Sequence, residues 1–240
     1  ATLVDVVVRD TEGRESDRAG GGGLQAQEGG TVEVIRGVFE GNRQIAVYAD
    51  GAGTTLTLSD VVVRDTKCQE SDLGFGFGLQ AWEGADVEAT RVVFEGNRDG
   101  AVLAGQFGTT LTLSDTVVRD TRSRESDGAF GHGLDVQFGA RAGATRTLFE
   151  GNRDVAIHAV HAGTNVTLSD VVVRDTRSRE SDRSGGGGLG VREGAAVDVI
   201  RSLFEGNRDV AIHAGHAGTN HAYPVYSEGC YGLRCRHFPS

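Results

Sequence analysis

Leu56-Thr57-Leu58-Ser59-Asp60-Val61-Val62-Val63-Arg64-Asp65-Thr66 and Val87-Glu88-Ala89-Thr90-Arg91-Val92-Val93-Phe94-Glu95-Gly96-Asn97 carry apolar residues at matching positions, 31 residues apart. Each is a pair of short segments in which apolar and polar residues alternate, broken by Ser, Asp, Gly or Asn. That is strand periodicity, and no apolar i, i+3, i+4, i+7 series of useful length competes with it. The pair belongs to a longer repeat. Phe-Glu-Gly-Asn-Arg begins at Phe39, Phe94, Phe149 and Phe204, and Glu-Ser-Asp begins at Glu15, Glu70, Glu125 and Glu180, a step of 55 in both cases. A 55-residue unit with one internal offset of 31 leaves 24 for the other.

Strands of three to five residues, in a chain with 37 glycines, bury little by themselves and gain a core by stacking on copies of themselves. The pattern predicts an all-β fold, a parallel β-solenoid of alternating 31- and 24-residue coils, two per repeat and about eight over residues 1–220. Leu56, Leu58, Val61, Val63, Val87, Ala89, Val92 and Phe94 are expected to point inward, each stacking on its counterparts. Asn42, Asn97, Asn152 and Asn207 fall at a bend, where side-chain amides satisfy backbone groups that the turning chain leaves unpaired. Arg64-Asp65 and its copies are expected as neighbouring ladders of opposite charge.

Phe39-Glu-Gly-Asn42-Arg43 followed by Ala46-Val47-Tyr48, with its three later copies, resembles the repeat of right-handed parallel β-helix proteins of the pectate-lyase-like superfamily. The resemblance spans residues 1–220 and implies the fold. It carries no activity over. The calcium-binding aspartates with a catalytic Arg or Lys, and the paired aspartates with a His and an Arg-x-Lys element, are not matched, and the sole lysine, Lys67, lies in a loop.

The two coils differ at one corner. After Asn97 the chain needs only Arg98-Asp99-Gly100 to reach the next strand, whereas after Thr66 it spends Lys67 to Phe77 before Gly78-Leu79 resumes the pattern. A loop therefore projects from every second coil, recurring every ~9.6 Å along the axis if adjacent coils lie ~4.8 Å apart. Loops held on a rigid scaffold are favoured places for function.

Net charge is −10, which argues against nucleic acid or an anionic membrane as partner. No apolar run approaches the length of a membrane-spanning helix. Ala1-Thr2-Leu3 falls where Leu56-Thr57-Leu58 stands one copy later, as expected of a fragment or processed product. Residues 221–240 leave the repeat and form a tail. They cap the solenoid, begin another domain, or are foreign to it. Within the tail, Tyr223-Pro224-Val225-Tyr226 is apolar enough to lie over the solenoid end. Cys230 and Cys235 either close a small loop in an oxidising compartment or remain two thiols.

Three groups of residues are candidates for chemistry. The loop row repeats a carboxylate pair, notably Glu70 with Asp72 and Glu125 with Asp127, suited to calcium or to acid and base work on a glycoside, with neutralisation by nearby arginines as the plainer alternative. Calcium is further disfavoured because the Gly-Gly-x-Gly-x-Asp order of calcium-binding β-rolls is absent. Phe75, Phe77, Trp82 and Phe130 gather in repeats two and three and offer rings for sugar faces, or simply cover a corner. His158, His161, His213, His216 and His221 cluster late in the chain. Imidazoles at that spacing serve zinc only if a bend turns them together, so surface histidines are the simpler expectation. No cofactor is expected. The functional expectation is a secreted or cell-surface scaffold that binds extended polysaccharide or acts in adhesion. The alternative is a polysaccharide lyase or glycoside hydrolase with its site in repeats two and three.

Overall fold

A computed structural model describes residues 1–215 and 233–235. Each coil contributes one strand to each of three parallel sheets. One 55-residue repeat runs Thr55–Ser59, Val62–Arg64 and Phe77–Trp82 in its long coil, then Asp86–Thr90, Val93–Glu95 and Gly100–Gly105 in its short coil. Thr55–Ser59 and Asp86–Thr90 lie in the first sheet, Val62–Arg64 and Val93–Glu95 in the second, Phe77–Trp82 and Gly100–Gly105 in the third. The second and third sheets have eight strands, one per coil, and the first has nine because Leu233–Cys235 pairs with Ala196–Ile200. The tyrosine segment Tyr223–Tyr226, His216, His221 and Cys230 lie outside the described residues.

The expected inward set is fully buried: Leu56, Leu58, Val61, Val63, Val87, Ala89, Val92 and Phe94 are all at most 1% exposed. In the second sheet the interior column alternates in size. Val63 lies between Phe39 and Phe94, and Val118 between Phe94 and Phe149. Ring and isopropyl group interdigitate, which fills the bore without forcing phenyl rings onto one another.

Register in the first two sheets follows the sequence offsets, with Thr2 opposite Glu33 and Thr31 opposite Thr55. The third sheet departs from them. There Gly100 faces His132, a step of 32, and Leu134 faces Ile157, a step of 23. The protruding loop delivers the chain one residue later, and the next corner restores the phase: three residues separate Trp82 from Asp86, but four separate Gly105 from Thr110. A one-residue shift exchanges the two faces of a strand. It sets which side chains meet outside.

The charge ladders also differ from expectation. Arg64 pairs with Glu40 at 2.9 Å and Arg119 with Glu95 at 3.0 Å, so the outer column of the second sheet alternates in sign because long coils supply Arg where short coils supply Glu. Within this column like charges do not stack in adjacent coils, whereas at the following corner Arg43 lies opposite Lys67, Arg98 opposite Arg122 and Arg153 opposite Arg177. Between the first and second sheets, Asp60 and Arg91 both adopt left-handed φ, 57° and 54°, and join in a bidentate pair of 2.6 and 2.8 Å. The same pair recurs as Asp5–Arg36, Asp115–Arg146 and Asp170–Arg201. These pairs are exposed, and such pairs add little stability. Asparagines occupy the second corner as expected, but they alternate with threonine from coil to coil and do not stack on one another.

Candidate functional site

The loop row projects at the corner between the second and third sheets. Its carboxylates are turned apart. Glu70 pairs with Arg43 at 3.0 Å, while Asp72 accepts the Gly74 amide at 2.8 Å. Glu125 pairs with Arg98 at 2.9 Å and Asp127 with Arg124 at 2.6 Å. Each loop therefore spends its two acids on separate partners, and they do not converge on a common ion or substrate. Cys68, where later repeats have Ser123 and Ser178, donates to the Phe75 carbonyl at 3.0 Å and receives the Glu125 amide at 3.4 Å. Burial pushes its thiol up to about 11, which makes it a structural link between loops rather than a nucleophile.

Of the late histidines, the described three, His158, His161 and His213, do not gather. His213 shares an outer column with His158 but Gly190 stands between them, and His161 sits at a corner, stacked on Phe138 at 4.1 Å with Glu193 3.3 Å away. What His158 meets is residues absent from the candidate set. Its Nδ1 lies 3.1 Å from Asp135 Oδ1, and its ring centroid is 5.1 Å from that of His132. His132 stands between two carboxylates, with Nδ1 3.6 Å from Asp135 Oδ2 and Nε2 3.5 Å from Asp154 Oδ2. The third-sheet step of 23 makes this possible by setting Asp135 beside His158; a step of 24 would oppose it to inward Ala159.

Loops wall the cluster. Arg179 reaches Asp154 at 3.8 Å, and Arg124 reaches Asp99 at 3.9 Å. Phe130, in a left-handed conformation at φ 61°, sets its ring edge-on to His132 at 5.6 Å and takes the Arg124 guanidinium over its face at 4.6 Å. The same left-handed turn recurs at Gly20, Phe75 and Gly185, so the path of the loop, not the cluster, sets this conformation. Burial disfavours a charged His132, yet the flanking carboxylates of Asp135 and Asp154 outweigh it and lift the imidazole to about 9. Burial would likewise raise Asp135, but His132 and His158 hold it well below the ordinary carboxylate range. Asp154 is lowered despite its burial, mainly by His132 and then Arg179. For Asp99 burial wins over Arg124 and His132, and its carboxyl rises to about 6.

The sequence profile described as right handed beta helix region matches residues 4–173, in accord with the three stacked parallel sheets. The chain belongs to the right-handed β-helix family. No curated protein matches it.

The outer face of the third sheet is the part of this β-helix that departs from its own repeat. Phe77 packs over Gly100, and the benzene ring of Trp82 fills the space above Gly105, so that a Cβ there would meet Cζ3 at 1.9 Å. Trp82 is edge-on to Phe138 at 6.3 Å. Phe75 is edge-on to Phe77 at 6.4 Å, at the foot of the loop row. The four aromatic candidates thus share this side of the β-helix, with Phe75, Phe77 and Phe130 towards the loops and Trp82 at the opposite corner. Beside Trp82 run Tyr48, Asp50 and Gln80, with Tyr48 opposite Gln80 and Asp50 opposite Trp82. Asp50 Oδ1 and Gln80 Oε1 are buried without a hydrogen-bond partner among the described residues. His132 and Asp135 escaped the sequence reading although they diverge from the repeat: Gly22, Phe77 and Gly187 occupy the place of His132 in the other repeats, and Gln25, Gln80 and Gly190 that of Asp135, whereas Asp154 recurs as Asp99 and Asp209 and gave no such signal.

Proposed function

We propose that the outer face of the third sheet is a track for an extended, non-acidic polysaccharide, and that the β-helix is a secreted or cell-surface scaffold displaying it. The observation that carries this reading is Trp82 on the outer face beside the polar side chains of Tyr48, Asp50 and Gln80. A ring for a sugar face next to acceptors for sugar hydroxyls is a saccharide's complement. The loop row bounds the track on one side, and coils ~4.8 Å apart repeat contacts along a linear chain, so weak sites add. The acids along the track, Asp50, Asp99, Asp135 and Asp154, favour neutral or amino sugars over polyuronates. The test is binding of the full chain to a panel of neutral, amino and acidic polysaccharides, repeated with Trp82→Ala and Gln80→Ala. Binding weakened several-fold by each substitution, with the circular dichroism spectrum unchanged, supports the track. A parent protein that binds no glycan at millimolar saccharide overturns it.

A lyase or hydrolase is favoured by one observation, the placement of Asp135 and Asp154 on either side of His132. Product formation from a bound polymer, abolished in Asp135→Asn, would establish that reading. Binding without turnover leaves the scaffold.

A further inference from the structure

The scaffold does not require His132, Asp135 and His158. Equivalent positions hold Gly or Phe for His132, Gln or Gly for Asp135, and Tyr48, Leu103 or His213 for His158, and the coils stack regardless. What these residues form together is therefore additional to the fold. One possibility is an ion pair network, but its distances are poor. Charge-assisted N–H···O contacts run ~2.7–2.9 Å, whereas His132 lies 3.6 and 3.5 Å from its two carboxylates although it is only 5% exposed. Two imidazoles 5.1 Å apart also repel when both are protonated.

A shared metal ion accounts for both features. Neighbouring ligand atoms on a tetrahedral zinc ion with bonds of ~2.0–2.1 Å stand about 3.3 Å apart. Asp135 Oδ1 lies 3.1 Å from His158 Nδ1 and Asp135 Oδ2 3.6 Å from His132 Nδ1, so the carboxylate sits between the two imidazoles at spacings near that value, and one ligand atom from each of the three residues falls within 4.8 Å of the others. With Nδ1 of His132 facing the ion, Nε2 faces Asp154, itself near Arg179. A carboxylate on the far nitrogen of a ligating histidine fixes its tautomer and orientation, an arrangement that recurs behind metal-bound imidazoles. Two imidazoles and one carboxylate suit zinc and related first-row divalent ions rather than calcium, which takes oxygen.

We propose that His132, Asp135 and His158 bind one divalent transition-metal ion, oriented from behind by Asp154. The decisive experiment is zinc titration of the full chain by calorimetry, with cobalt(II) absorption as a second readout. One site with a Kd below ten micromolar, cobalt bands of low coordination number, and a melting temperature raised by zinc but not by calcium are expected. His158→Gln and Asp135→Asn each weaken zinc at least 100-fold, and Asp154→Asn weakens it roughly 10- to 100-fold. His213→Ala and His161→Ala leave it unchanged. Should Asp135→Asn fail to fold, His158→Gln, at the edge of the cluster, keeps the test. Zinc affinity weaker than millimolar, or affinity unmoved by His158→Gln, or lost in His213→Ala, overturns the proposal.

Discussion

Asn97 reaches back one coil to Thr66. Its Oδ1 accepts from the Thr66 amide at 3.1 Å and from the Thr66 hydroxyl at 2.7 Å, while its Nδ2 donates to the Val63 carbonyl at 3.1 Å. Both residues are buried, so this corner is closed by polar groups in the dry interior. Asn152 does the same for Thr121. Asn97→Ala strands three groups at once. Since an unsatisfied buried polar group costs ~1–3 kcal/mol, a loss of about 3–5 kcal/mol in unfolding free energy is expected, against about 1 for Thr66→Val, which removes a single bond. Equal effects for the two substitutions in denaturant titrations would show that the amide is not the keystone of the corner.

Phe149 tests the interior. It is fully buried between Val118 and Val173, and Phe149→Ala should cost about 3–5 kcal/mol, less if the coils settle into the void. Phe149→Asp should be worse because it buries an unpaired charge. A denaturation midpoint unmoved by Phe149→Ala would contradict the inward placement.

The interior was legible in the chain because strand parity and a 55-residue repeat are one-dimensional signals: Leu56, Leu58, Val63 and Phe94 can be assigned from alternation alone. Corner chemistry was legible in part. Asn97 was placed at its bend, but its partner Thr66 belongs to another coil and is found only with register. The outer face was hidden by the one-residue phase shift of the third sheet. A step of 24 sets His158 opposite Leu134, whereas the observed 23 sets it opposite Asp135. The acids of the pairs Glu70–Asp72 and Glu125–Asp127 are turned apart for a related reason. Their arginines Arg43 and Arg98 come from the neighbouring coil and separate each pair.

Gly105 makes the aromatic track testable without removing a ring. A Cβ at this position would meet three ring atoms of Trp82 at 1.9, 2.5 and 2.7 Å. Gly105→Ala should therefore lift Trp82 from the sheet while sparing the backbone. Expected are a changed tryptophan fluorescence maximum, Trp82 being the only tryptophan, and several-fold weaker binding to any polysaccharide that the parent binds. Unaltered fluorescence and affinity would mean that the ring does not rest on Gly105.

Asp99 gives a pH signature with a defined sign. Burial lifts its carboxyl from the ordinary 3.8 to about 6, so the folded state holds this proton more tightly than the unfolded chain does. Its contribution is fully present below pH 3.8 and is lost as pH rises through 6. At 1.36 kcal/mol per unit, the loss amounts to about 3 kcal/mol once the group is ionised. Asp99→Asn removes the titration, keeps a residue type tolerant of left-handed φ, here 62°, and leaves Arg124 its partner Asp127. In EDTA, the variant should match the parent near pH 3.5 and exceed it by roughly 1–3 kcal/mol at pH 7.5, the lower figure allowing for the lost contact with Arg124. His132 titrates in both proteins, its own contribution falling away as pH rises from about 6.5 towards 9, and it enters the difference through its coupling to Asp99. A stability difference that stays flat between pH 3.5 and 7.5 would show that Asp99 ionises as readily in the fold as in water.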